Sequence, residues 1–165
     1  MSRQAGFSVL TLLILVISLL AGTTFVLIGN GPNVQGQMNA QKTAELVAQS
    51  QLIVHRIVKC ATDYPNGDNG TGLHKAYPAG SSITVAALTC PGNGNQNLWS
   101  GADGIYLPAP ITGFGAWTYT NASPASIAIT SAQPATHSSS LASTATRIGP
   151  AASATANTLT VKVIE

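Results

Sequence analysis

The sequence predicts an α+β fold: one long N-terminal helix, transmembrane in its first half and amphipathic in its second, packed on a small antiparallel β-sheet. Three observations predict it. Residues 9–28 form an unbroken apolar run, residues 35–62 carry a helix-period stripe, and the chain beyond residue 80 is cut into short β-rich segments by Gly, Pro and Asn.

The apolar run comes first. After Met1-Ser-Arg-Gln-Ala-Gly6 no charge follows Arg3 until Lys42. As a helix, residues 9–28 span ~30 Å, the thickness of a bilayer's hydrocarbon core. Arg3 on the short flank keeps the N-terminus cytoplasmic by the positive-inside rule and sends everything after Ile28 outward. Gly29-Asn30-Gly31-Pro32 then breaks or kinks the helix, because Pro32 lacks a backbone donor. The expected organisation is a leader at 1–6, a membrane helix at 7–31 and an exported domain at 32–165.

In the second helix Leu46, Ile53, Ile57 and Cys60/Ala61 recur at helical spacing, widened by Val47, Val54 and Val58. The stripe covers too few heptads for a coiled coil, so a sheet of the same chain is its expected partner. Residues 64–72 are a string of turn formers with Asn-Gly pairs. Asp63, Asn66, Asp68 and Asn69 raise the question of calcium, but no Glu stands at the twelfth loop position. Strands are expected at 82–88, 104–107, 116–120, 125–130 and 158–164, with 121–124 as a hairpin loop. Leu159, Val161 and Val163 share one face of the last strand. The Ser/Thr/Ala-rich stretch 133–157 reads as a short surface helix built on Leu141, Ala145 and Ile148. Ser138 to Ser140 are its candidate N-caps and Gly149-Pro150 its stop; a disordered stalk is the rival reading.

Charged residues make up 7% of the 165, against roughly a quarter in ordinary globular proteins. The seven Lys and Arg are scattered, which argues against a nucleic-acid surface. Cys60 and Cys90 would face an oxidising compartment, so a disulfide is the default. Neither His55 nor His74 completes a zinc spacing with them. No His stands in a recognisable catalytic motif, and the glycines at 92, 94, 101 and 104 lack the Lys and helix of a phosphate loop. No catalysis, cofactor or metal is expected. Asp103 reads as a turn residue, and Trp99, Tyr106, Trp117 and Tyr119 as core. Asn69 and Asn121 head N-x-S/T sequons without the upstream acid that bacterial systems favour.

The start of the chain admits three processing routes. Leu20-Ala21-Gly22 fits a secretory cleavage site poorly because Leu20 is large, and Thr23 excludes lipidation. The third route uses Gly6-Phe7 itself. Arg-x-x-Gly-Phe-Ser-Val-Leu at the head of an apolar helix resembles the class III signal of type IV prepilins and pseudopilins, over roughly the first thirty residues. The resemblance implies cleavage between Gly6 and Phe7 by a prepilin peptidase, with possible N-methylation of Phe7. It implies a structural subunit, pilin or minor pilin, held in the inner membrane and then moved into an extracellular filament of homologous subunits. One departure concerns Thr11, which stands where the family usually has Glu. That carboxylate is thought to pair with the first amine of a neighbouring subunit in the filament core, and Thr11 offers only a hydroxyl. Members lacking the acid tend to be minor components. The competing reading is a signal-anchored or secreted periplasmic β-rich binding module that does not polymerise.

Overall fold

The computed structural model describes residues 34–164. The leader, the apolar segment, and with them Gly6, Phe7 and Thr11, lie outside the described residues. Among the described residues no helix is long and apolar enough to cross a membrane. The described residues from Met38 onward belong to one compact unit.

Helix α1 (Val34–Asp63) realises the expected stripe: Thr43, Leu46, Ser50, Ile53, Ile57, Cys60 and Ala61 are buried, each three or four positions from the next, or adjacent. Its two polar members were not read from periodicity. They fit because each satisfies its hydroxyl on the helix itself, Thr43 on the Asn39 carbonyl at 2.8 Å and Ser50 on the Val47 carbonyl at 2.9 Å. A buried hydroxyl bonded in this way carries little desolvation penalty. Fully burying Leu46, Ile53 and Ile57 contributes about 1.5–3 kcal/mol each. That tertiary contribution, more than intrinsic propensity, holds a helix rich in β-branched residues.

The sheet is antiparallel throughout, in the order β1–β4–β5–β7–β6. Its strands are β1 (Ile83–Thr84), β4 (Thr118–Thr120), β5 (Ala125–Thr130), β6 (Ala152–Ala154) and β7 (Thr158–Ile164). A second, two-stranded ribbon pairs β2 (Thr89–Cys90) with β3 (Gln96–Asn97). Register places Ile83, Tyr119, Ile127, Val161 and Ala152 directly opposite one another, one residue from each strand. Directly paired residues share a face, so these five form one apolar row across the core side. The next row, Thr84, Thr118, Ala128, Thr160 and Ser153, falls on the opposite face because strand side chains alternate. That outer row contains no charge and no large apolar side chain.

Helix α2 (Pro134–Ile148) lies between β5 and β6 in the chain. Pro134 occupies its first turn, where the missing N–H costs nothing. Ser138, Ser139 and Ser140 therefore sit inside the helix and are not its caps. It ends as expected at Gly149, whose N–H bonds the Ala145 carbonyl at 2.9 Å. The helix is no mere surface element: His137, Ser140, Leu141 and Thr144 are buried, and Leu141 joins the same core cluster as Leu46 and Ile53. Thr144 satisfies its hydroxyl on the Ser140 carbonyl at 2.7 Å, repeating the device of α1.

Strands 125–130 and 158–164 match expectation residue for residue, and the hairpin loop joins β4 to β5. Three expectations need correction. The 82–88 strand stops after Thr84 and turns into a 3₁₀ segment, Val85–Ala87. Residues 104–107 form no strand; Asp103 and Gly101 organise that stretch as turns, with Gly104 N–H bonding the Gly101 carbonyl at 2.9 Å. Tyr106 is 67% exposed, whereas Trp99, Trp117 and Tyr119 are core residues.

The Tyr119 hydroxyl is buried without a hydrogen-bond partner, and burial pushes its ionisation well above the ordinary phenol value. Leaving such a group unpaired carries a desolvation penalty. We expect Tyr119→Phe to be neutral or to stabilise by about 1 kcal/mol, read as a higher midpoint in chemical denaturation. A clear loss of stability would show that the hydroxyl has a partner.

Candidate functional site: two polar clusters along the long helix

The first cluster joins residues distant in the chain. Lys42 Nζ lies 2.6 Å from His137 Nε2, and His137 Nδ1 lies 2.8 Å from Ser131 Oγ. The Lys42 ammonium is a donor only, so Nε2 is the acceptor nitrogen and Nδ1–H donates to Ser131. Ser131 Oγ also accepts the Gln133 N–H at 3.0 Å. A serine nucleophile needs the reverse arrangement, with an unprotonated ring nitrogen facing its hydroxyl. Here the basic nitrogen is held by Lys42, and the trio serves as a brace between α1, the end of β5 and α2. The His137 ring stacks on Phe114 at 4.7 Å between centroids. Gly113 (φ +88°) passes beside that ring, and a Cβ there would run into it, so the position combines a left-handed backbone with a steric need for glycine.

The second cluster surrounds the last three turns of α1. Cys60 and Cys90 are joined by a disulfide, with Cα atoms 5.8 Å apart. The sequence-expected pair is thus brought together, tying α1 to the β2–β3 ribbon. Arg56, one turn earlier, donates to the Asp103 carboxylate and to the Leu98 carbonyl. Its guanidinium lies 5.8 Å over the Trp99 ring, and the Trp99 indole N–H bonds the Val85 carbonyl at 2.8 Å. The hydrogen bond from Arg56 holds the Asp103 carboxyl below the ordinary range. Asp103 is therefore a turn residue, accepting the Ile105 N–H at 3.2 Å, and an ion-pair partner as well. Lys59 and Asp63 pair at 2.6 Å, which raises the Lys59 ammonium above its ordinary value. Nothing in the sequence signals either cluster, because Arg56 and Asp103 are 47 positions apart and Lys42 and His137 are 95.

The turn-rich segment after α1 spends its polar groups on itself. Asp68 accepts the Gly70 N–H at 2.9 Å and pairs with Lys75 at 3.4 Å, and both contacts lower its carboxyl. Asn69 donates to the carbonyls of Leu73, His74 and Tyr77. Asn121 donates to those of Leu73 and Pro78. Both sequon asparagines are thus structural, each amide pinning a loop. Among the described residues no group of three or more His, Cys, Asp or Glu side chains is placed to hold a metal ion.

No protein-family model, curated protein or solved structure matches the chain.

Two measurements probe these clusters. Replacing Cys60 and Cys90 together by Ser, or reducing the protein, is expected to lower stability by roughly 3–4 kcal/mol, the chain-entropy value for this loop. An unchanged denaturation midpoint would mean that α1 holds the ribbon without the staple. Burial, reinforced by Lys42, lowers the His137 ring below its ordinary value, and a contact at the Gly113 backbone only partly offsets this. The unfolded chain therefore takes up the proton first. Stability is full above pH ~6.5 and falls as pH drops below it, by up to about 1.4 kcal/mol per pH unit. In His137→Gln that slope should flatten; an unaltered slope would assign the acid sensitivity to other groups.

Proposed function

We propose that this chain is a structural subunit of a type IV pilus-like filament, a pilin-like or pseudopilin-like protein, and not an enzyme. The observation that carries the reading is the Gly6-Phe7 junction at the head of a charge-free apolar segment that leads into a second, amphipathic helix. Supporting it, α1 is 30 residues long, about 45 Å, and one stripe of it packs on an antiparallel sheet. The order of helix, turn-rich crossing segment and sheet is the architecture the resemblance implies. A low-charge surface, with a Thr- and Ser-lined outer sheet row, suits a protein whose neighbours are copies or homologues of itself. Such a face offers neutral hydrogen-bonding groups and little like-charge repulsion.

In this reading the inner membrane holds the subunit by residues 7–31 until a prepilin peptidase removes residues 1–6. The apolar helix then exchanges lipid for the helices of other subunits, while the sheet domain faces outward. Thr11, which offers no carboxylate to pair with a neighbouring amine in the filament core, favours a minor over a major component in this reading.

The deciding test is the intact mass and N-terminal peptide of the protein from native membrane and shed fractions. We expect a chain that starts at Phe7, with Gly6→Glu blocking its appearance. A start at Met1 would instead support the signal-anchored binding module, and a start at Thr23 the secreted one.

A further inference from the structure

A cleft of about 280 Å³ opens beside the disulfide, between the end of α1, the β2–β3 ribbon and the 98–103 segment. Its lining mixes polar and apolar groups, and its charges balance. Both cations on its wall are spent: Arg56 on Asp103 and the Leu98 carbonyl, Lys59 on Asp63. The two carboxylates are spent by the same pairs. No charge is left over to hold a phosphate, a carboxylate or an ammonium group, which needs a partner of opposite sign.

Part of the remaining wall is amide and hydroxyl, from Asn93, Gln96, Asn97 and Ser100. Asn93 Nδ2 donates to Gln96 Oε1 at 2.9 Å, and Gln96 Nε2 donates to Ser100 Oγ at 3.2 Å. Among the described residues this relay leaves Asn93 Oδ1 free as an acceptor at one end and the Ser100 hydroxyl proton free as a donor at the other. A hydrocarbon ligand would strip water from these groups and return nothing. A ligand bearing neighbouring hydroxyls, each both donor and acceptor, answers them in kind. The cleft also has an apolar wall. Tyr64 lines the cleft, its Cβ and Cγ lying where a Cβ on Gly92 would strike them; Tyr106 stands exposed over Gly101, outside the lining. An aromatic side chain such as Tyr64 accepts the C–H edges of a sugar ring. The volume lies just under the roughly 300–1,000 Å³ of sites for drug-sized ligands, which suits a single ring.

The frame is fixed in advance. The disulfide anchors one wall, and the tight turn between β2 and β3, with Gly94 at φ +58° and Asn95 at φ +59°, presents Asn93. Preorganisation of this sort lowers the entropy lost on binding.

We propose that this cleft binds a neutral saccharide ring through the Asn93–Gln96–Ser100 relay, with the Tyr64 ring as its apolar wall. The site goes beyond the filament reading and does not rest on it, because it is complete within residues 56–106.

The test uses the full-length chain in a detergent without a sugar headgroup. Saturation-transfer NMR is run with glucose, galactose, mannose and N-acetylglucosamine, and with glucose 6-phosphate and N-acetylneuraminic acid as anionic counterparts. At least one neutral sugar should saturate at millimolar concentration. The double substitution Asn93→Ala, Gln96→Ala should weaken it about tenfold, the loss expected for one or two hydrogen bonds. Ser100→Ala should weaken it less. Near-UV circular dichroism of Trp99 and Trp117 confirms that each variant keeps its fold. Absence of binding by every neutral sugar, binding by the anionic sugars alone, or undiminished binding by the folded double variant would each overturn the proposal. The N-terminal residue of the chain has no bearing on any of these results, so this test and that of the filament reading fail separately.

Discussion

Burial of one helical stripe under one transverse row of the sheet is the constraint on which the described structure depends. Leu46, Ile53 and Ile57 are buried in one core cluster with Tyr119, Ile127 and Val161 of the sheet, which Leu141, Trp99 and Trp117 complete. Each element is marginal alone: a helix of this composition gains little from propensity, and a sheet with one bare apolar face would invite association. Together they remove each other's liability. Side-chain alternation then assigns the outer face without further choice, since Thr84, Thr118, Thr160 and Ser153 are each adjacent in the chain to a member of the apolar row.

A chain this poor in charge must settle its polar groups by other means. Thr43, Ser50 and Thr144 bond to carbonyls of their own helices. Asn69 and Asn121 together take up carbonyls from Leu73 to Pro78. Short-range satisfaction within the helices lets Thr43, Ser50 and Thr144 enter buried positions that usually require apolar residues. Near the end of α1, Arg56, Lys59, Asp63 and Asp103 cancel in pairs. The result is a surface without a dominant field and a cleft without net charge. Both features favour neutral, hydrogen-bonding contacts over electrostatic steering.

How much was legible in the sequence follows from the range of the forces involved. Helix α1 was legible because its stripe repeats at 3.6 residues over many turns. Strands β5 and β7 were legible because alternation and β-branched residues coincide in them. The ribbon strands Thr89–Cys90 and Gln96–Asn97 were not, since two residues carry no period. Residues 104–107 show the opposite failure: their composition is that of a strand, but no neighbour pairs with them, and Tyr106 stays in solvent. The N-cap expectation at Ser138–Ser140 failed because Pro134 supplies an earlier and stiffer start.

The sequence by itself determined the long amphipathic helix, the antiparallel β-rich half, the scarcity of charge and the availability of Cys60 and Cys90 for pairing. All of these are properties of neighbouring residues or of composition. Only the tertiary structure decided that His137 meets Lys42, that Arg56 meets Asp103, and that Asn93, Gln96 and Ser100 form a relay beside the disulfide. These groupings arise when α1 is laid on the sheet and the loops close around its end. Residues separated by 47 or 95 positions leave no periodic trace in one chain, because their proximity is set by packing and not by local conformation.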